Sequence, residues 1–86
     1  RTLIFDVWHD GTFLPGETIT LNVELRNPDG TPIQGTDISV TEVHSMMMGE
    51  ITNYISTSGT TDSNGRATIT LTLPSDVTGW VDVALQ

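Results

Sequence analysis

Thr18-Ile19-Thr20-Leu21-Asn22-Val23-Glu24-Leu25-Arg26 decides the fold class of this chain. Ile19, Leu21, Val23 and Leu25 alternate strictly with polar residues. A period of two places one set on a buried face and the other in water, whereas the same pattern on a helix would scatter apolar groups around the wheel. Arg66 to Leu73 repeats it, with Ala67, Ile69, Leu71 and Leu73 inward and Thr68, Thr70 and Thr72 outward. β-Branched threonines suit an exposed pleated surface.

Shorter strands are expected around these two. Leu3 to Trp8 alternates, and Asp37 to His44 begins with Ile38 and Val40 inward. Val43 then breaks the parity, which predicts a bulge or strand end near Glu42. Glu50 to Ser56 carries Ile51, Tyr54 and Ile55 with a second slip, and Trp80 to Leu85 offers Val81, Val83 and Leu85 on one face. Turn chemistry divides the runs. Leu14-Pro15-Gly16-Glu17, Asn27-Pro28-Asp29-Gly30 and Asp62-Ser63-Asn64-Gly65 are tight-turn sequences, with Gly65 expected at positive φ. Pro74 ends the Arg66 strand, and Pro74 to Gly79 reads as a short crossover with room for one helical turn. About seven short strands with turns at this spacing describe an all-β protein, an immunoglobulin-like antiparallel β-sandwich. The expected core is Ile19, Leu21, Val23, Leu25, Ile38, Val40, Ile69, Leu71, Val81 and Val83.

At 86 residues the chain is expected to be a single domain, 1–86, and its first residue, Arg1, suggests a piece of a longer protein. Hydrophobic residues are 36% and charged residues 16%, both below the usual average. Three cations against 11 carboxylates give a formal charge of -8, and there is no lysine. Phosphate contacts need cations, so nucleic acid and anionic lipid are poor partners. No apolar run approaches the roughly 18–20 residues of a membrane-spanning helix. With no cysteine, disulfides, thiolate metal sites and Cys nucleophiles are excluded.

Leu14 to Leu21, followed by Leu25-Arg26-Asn27-Pro28-Asp29-Gly30-Thr31-Pro32-Ile33, resembles the opening of bacterial and archaeal Ig-like and macroglobulin-like domains. Thr61-Asp62-Ser63-Asn64-Gly65-Arg66-Ala67-Thr68 resembles their turn before a long strand, and Leu73-Pro74 through Gly79-Trp80-Val81 their ending. The resemblance covers most of Phe13 to Leu85 and implies a module of a tandem array in a secreted or cell-surface protein. A second resemblance is to YtkA-like copper-associated β-sandwiches, through His44-Ser45-Met46-Met47-Met48-Gly49 and Gly79-Trp80. The methionines here lack the spaced Met-x-x-Met arrangement of that family.

Several residues are candidates for chemistry. His44, Met46, Met47 and Met48 offer soft ligands for copper(I); alternatively the methionines fill an irregular gap where a strand leaves the sheet, or form a sticky loop tip that binds a partner. Asp62 and Asn64 resemble part of a calcium loop, with Asp29 and Asp37 as further carboxylates, but calcium needs 6–8 oxygens and an Asx turn explains the sequence without metal. His9, Asp10 and Glu17 are the nearest approach to an acid–base set, and no nucleophile elbow accompanies them. Trp80 is expected to plug the core, Phe13 to cap one end of it, and Trp8 to lie on an outer face.

The function expected from these features is a non-catalytic spacer or adhesion-type module, extracellular or on the cell surface. It needs no cofactor, and its partners are neighbouring domains and protein or glycan ligands. The alternatives are a copper-binding β-sandwich using His44 and Met46–Met48, and an accessory domain of an extracellular enzyme.

Overall fold

The two alternating segments become the central strands. The computed structural model describes residues 4–8 and 16–86. β2 (Thr18–Arg26) and β8 (Arg66–Thr72) pair antiparallel, with Ile19 opposite Leu71, Leu21 opposite Ile69 and Val23 opposite Ala67. β1 (Ile4–Trp8) pairs with the other edge of β2, from Ile4 opposite Arg26 to Trp8 opposite Asn22. β6 (Ile55–Ser56) closes the sheet, giving the order β1-β2-β8-β6. Its outer face carries a threonine ladder in which the hydroxyls of Thr18 and Thr72 lie 2.8 Å apart and those of Thr57 and Thr70 3.0 Å apart.

A second sheet has the order β5-β4-β9, from β5 (Gly49–Ile51), β4 (Val40–Ser45) and β9 (Val81–Leu85). β3 (Asp37–Ile38) pairs with β7 (Gly59–Thr60). At Ser39 the chain changes partner, exchanging backbone hydrogen bonds with Gln86 (2.9 and 3.0 Å) in place of β7. This transfer divides the expected Asp37–His44 strand into β3 and β4. The register shift expected near Glu42 falls between Val40 and Glu42, and it turns Val43 into the interior.

All sheets are antiparallel, and no helix occurs among the described residues. Pro74 to Gly79 forms a turn closed by the Val77 amide on the Pro74 carbonyl, without the helical turn the sequence allowed. The inward faces share one core: Ile19, Leu21, Ile69 and Leu71 meet Val40, Val43 and Ile51, with Leu73 and Val77 closing one end. Val23, Leu25 and Ile38 form an adjoining cluster, and Leu85 packs against both. The first eight residues of the expected core are buried; Val81 and Val83 are half-buried against it. Ile55 lies opposite outward-facing Thr72 at the sheet edge and is exposed.

Two ends follow from the register. One holds Gly16, Met46–Met48 and Ser75–Trp80. The other holds the Asn27–Thr31 turn, the Asp62–Gly65 turn and the Ser39–Gln86 pair. Ile4 at the head of β1 and Leu85 at the foot of β9 both lie toward the second end.

Candidate functional site

Trp80 lies outside the core, contrary to expectation, and is 85% exposed. The reason is parity: Val81 and Val83 pack against the core, so the residue before them faces out. Val77 takes the buried place at that end. Met46, Met47 and Met48 are also solvent-facing, at 69%, 75% and 45% exposure. Trp80 and the three methionines share one end of the molecule, because the turn after β4 is bonded to the arm before β9.

The bonding converges on Ser45, which points inward like Val43 and is only 3% exposed. Its hydroxyl donates to the Thr78 carbonyl (2.5 Å) and accepts from the amides of Met47 (3.2 Å) and Met48 (3.1 Å). One donor and two lone pairs are thereby all engaged. The Met46 amide donates to the Trp80 carbonyl at 2.7 Å, and the Thr78 amide to Met48 Sδ at 3.4 Å. Gly79, at φ +85, has no side chain to obstruct Met47; a Cβ there would stand 2.8 Å from Met47 Cγ. The tip is therefore an apolar surface on a fixed backbone.

His44 stands apart from the methionine contacts. Its Nε2 is hydrogen-bonded to Glu42 Oε1 on the outer face of β4. It lies opposite Glu50 of β5 and Asp82 of β9. The Glu42 hydrogen bond is the largest cause that holds its pKa above the ordinary histidine value; desolvation, next in size, opposes it, and the charges of Glu42, Glu50 and Asp82 add to the rise. The copper candidates thus divide: the imidazole engages a carboxylate, while Met47 and Met48 contact Gly79 and Thr78.

The calcium candidates serve the backbone. Asp62 Oδ1 accepts from the amides of Asn64 (2.8 Å) and Arg66 (3.0 Å), and these bonds hold its carboxyl below the ordinary range. Asp29 Oδ1 accepts from the Thr31 amide and hydroxyl, and Asp37 Oδ1 from the Thr60 hydroxyl. Each loop carboxylate closes its own turn or strand pair. At the same end an open polar groove is lined by Glu24, Arg26, Gly30, Pro32, Asn64 and Arg66, where Glu24 bridges Arg26 (2.8 Å) and Arg66 (3.0 Å). His9, Asp10 and Phe13 lie outside the described residues, and Trp8 is described only as a strand residue of β1.

Ser45, Gly79 and Val77 were not singled out from the sequence. Ser45 carried a signal, since it shares the inward parity of Val43, and a buried hydroxyl needs partners. No protein-family model, curated protein or solved structure matches this chain.

Proposed function

We propose that this chain is a non-catalytic interaction module: an immunoglobulin-like β-sandwich of a secreted or cell-surface multidomain protein that presents an apolar tip to a protein or glycan ligand. The observation that carries the reading is the Met46-Met47-Met48-Trp80 surface. Four large apolar side chains are left in water on a backbone fixed by five hydrogen bonds within the tip. Exposed apolar clusters of this kind mark contact sites, and Trp is among the residues that most often dominate binding energy. Methionine adds an adaptable, polarisable surface.

Strand direction favours adhesion over spacing. Ile4 and Leu85 lie toward the end away from the tip, so the tip projects from the end opposite to where β1 begins and β9 finishes. A linear spacer would place those points at opposite ends. The acidic balance of -8 keeps such a projecting module soluble and self-repelling.

The test is binding of the 86-residue chain to arrays of purified surface proteins and glycans, beside the variant Met46→Ser/Met47→Ser/Met48→Ser/Trp80→Ser. The expected result is a target whose affinity falls by at least about tenfold in the variant, the scale of one hot-spot residue. The thermal midpoint should fall by no more than the Thr78 amide–Met48 Sδ bond supplies, because the four side chains are otherwise exposed. No bound target, or binding that survives the variant, overturns the reading.

A further inference from the structure

We propose that Glu42, His44 and Glu50, with Asp82 beside them, bind a divalent cation of the zinc class on the outer face of the β5-β4-β9 sheet. The argument begins with parity. Val43, Val83 and Ile51 turn inward, so Glu42 and His44 on β4, Asp82 on β9 and Glu50 on β5 share the opposite face. His44 occupies the middle strand, with a carboxylate directly opposite on each neighbour and a third two residues along its own strand. Cross-strand partners of this kind hold their Cβ atoms about 4.5–5.5 Å apart, within the reach of one ion.

The distances fit. One ligand atom from each of Glu42, His44 and Glu50 lies within 4.8 Å of the other two. Zinc bonds to nitrogen and oxygen of about 2.0–2.2 Å in tetrahedral geometry place two donors of one ion roughly 3.3–3.6 Å apart. Small rotations of exposed side chains close that difference, and the sheet ladder beneath supplies a stable base. Among the described residues this is the one group of three such donors.

The donor set selects the metal class. An imidazole among carboxylates suits zinc, nickel or cobalt, whereas calcium and magnesium prefer oxygen alone. The imidazole separates the group from an ordinary acidic patch. The charge balance points the same way: three carboxylates surround one histidine, the chain has no lysine, and Arg26 and Arg66 both pair with Glu24 in the other sheet. The site differs from a copper(I) site built on the methionines, because it uses none of their sulfurs.

The experiment is a Zn²⁺ titration of the whole chain by calorimetry and by heteronuclear NMR, with His44→Gln, Glu50→Gln and His9→Gln beside it. His44→Gln and Glu50→Gln are single polar exchanges on the outer face that leave the core untouched. The expected result is one ion per chain, with shifts centred on His44, Glu50 and Asp82. Loss of an outer-shell partner typically weakens metal binding by roughly 10–100-fold, and loss of a direct ligand should cost at least as much in His44→Gln and Glu50→Gln. His9→Gln should bind as the parent does. Absence of Zn²⁺ binding at millimolar concentration overturns the assignment. So does Ca²⁺ binding of equal strength that is indifferent to His44→Gln, which would mark a diffuse acidic surface. Zn²⁺ binding lost in His9→Gln and retained in His44→Gln overturns it as well.

Discussion

Ser45→Ala removes one oxygen atom and should loosen the whole tip. The hydroxyl makes three hydrogen bonds, to the Thr78 carbonyl and from the Met47 and Met48 amides. At a net 0.5–1.5 kcal/mol each, the sum reaches about 1.5–4.5 kcal/mol. The three backbone partners sit at exposed residues, so water replaces part of what they lose. The expected loss is therefore about 1–2 kcal/mol. For a domain of this length it corresponds to a fall in thermal midpoint of about 4–16 °C.

Amide hydrogen exchange separates this local effect from a general weakening. The Met47 and Met48 amides lose their acceptor, while the Met46 amide keeps its bond to the Trp80 carbonyl. In Ser45→Ala, protection at Met47 and Met48 should fall by more than protection at Met46, and urea unfolding should give the stability loss. Equal loss at all three amides, or an unchanged urea midpoint, would refute the claim that Ser45 pins the methionine turn to the arm before β9.

Two further outcomes test the frame that carries the tip. Gly65 has φ +74, and a Cβ there would stand 2.4 Å from the Leu25 carbonyl oxygen; Gly30 has φ +92 with nothing within 4 Å. Left-handed backbone alone costs a substituted residue roughly 1–2 kcal/mol, so Gly30→Ala should lose about that much in urea titration. Gly65→Ala should lose at least about 1 kcal/mol more, because the Leu25 carbonyl that must move also accepts the Ile33 amide. Asp62 sets an acid limit. Its folded pKa lies below the ordinary 3.8, so its stabilising contribution is present above that value and is lost as pH falls through the lower folded one. The stability gap between the parent and Asp62→Asn should narrow across that interval, as read from urea midpoints at stepped pH; a gap that widens on acidification would contradict the sign.

The centre of the molecule was legible because a period of two needs no knowledge of what lies beside a strand. Ile19 to Leu25 and Ala67 to Leu73 face inward whichever strands adjoin them. Even the bulge before Val43 announced itself, since a valine out of phase must be exposed or the register must shift. Strand ends are different. Trp80 was expected inside on the strength of its size, although the parity of Val81 and Val83 already placed it outside. Phase, and not hydrophobic size, decides which way a residue at a strand end faces. The direction of Ile55 is of another kind: it depends on pairing with Thr72, a contact separated in sequence that no local pattern encodes.

The same distinction explains why the cation site was only partly visible. Each member was readable alone, because Val43, Ile51 and Val83 fix the outward phase of Glu42 and His44, Glu50 and Asp82. What converts four outward polar residues into a cluster is the strand order β5-β4-β9, with His44 on the middle strand. The methionines, adjacent in sequence to His44, drew attention because nearness along the chain is visible, whereas nearness across a sheet is not. Along an extended strand each residue advances about 3.3 Å, and neighbours point to opposite faces. The residues that can share a ligand with His44 on a sheet are therefore its partners across the ladder and those two positions away on its own strand. Glu50 and Asp82 are the first and Glu42 the second, while adjacent Ser45 turns inward to bind the tip. That alternation assigns the two features of this end of β4 to separate work: the inward hydroxyl fixes an apolar surface, and the outward imidazole gathers carboxylates.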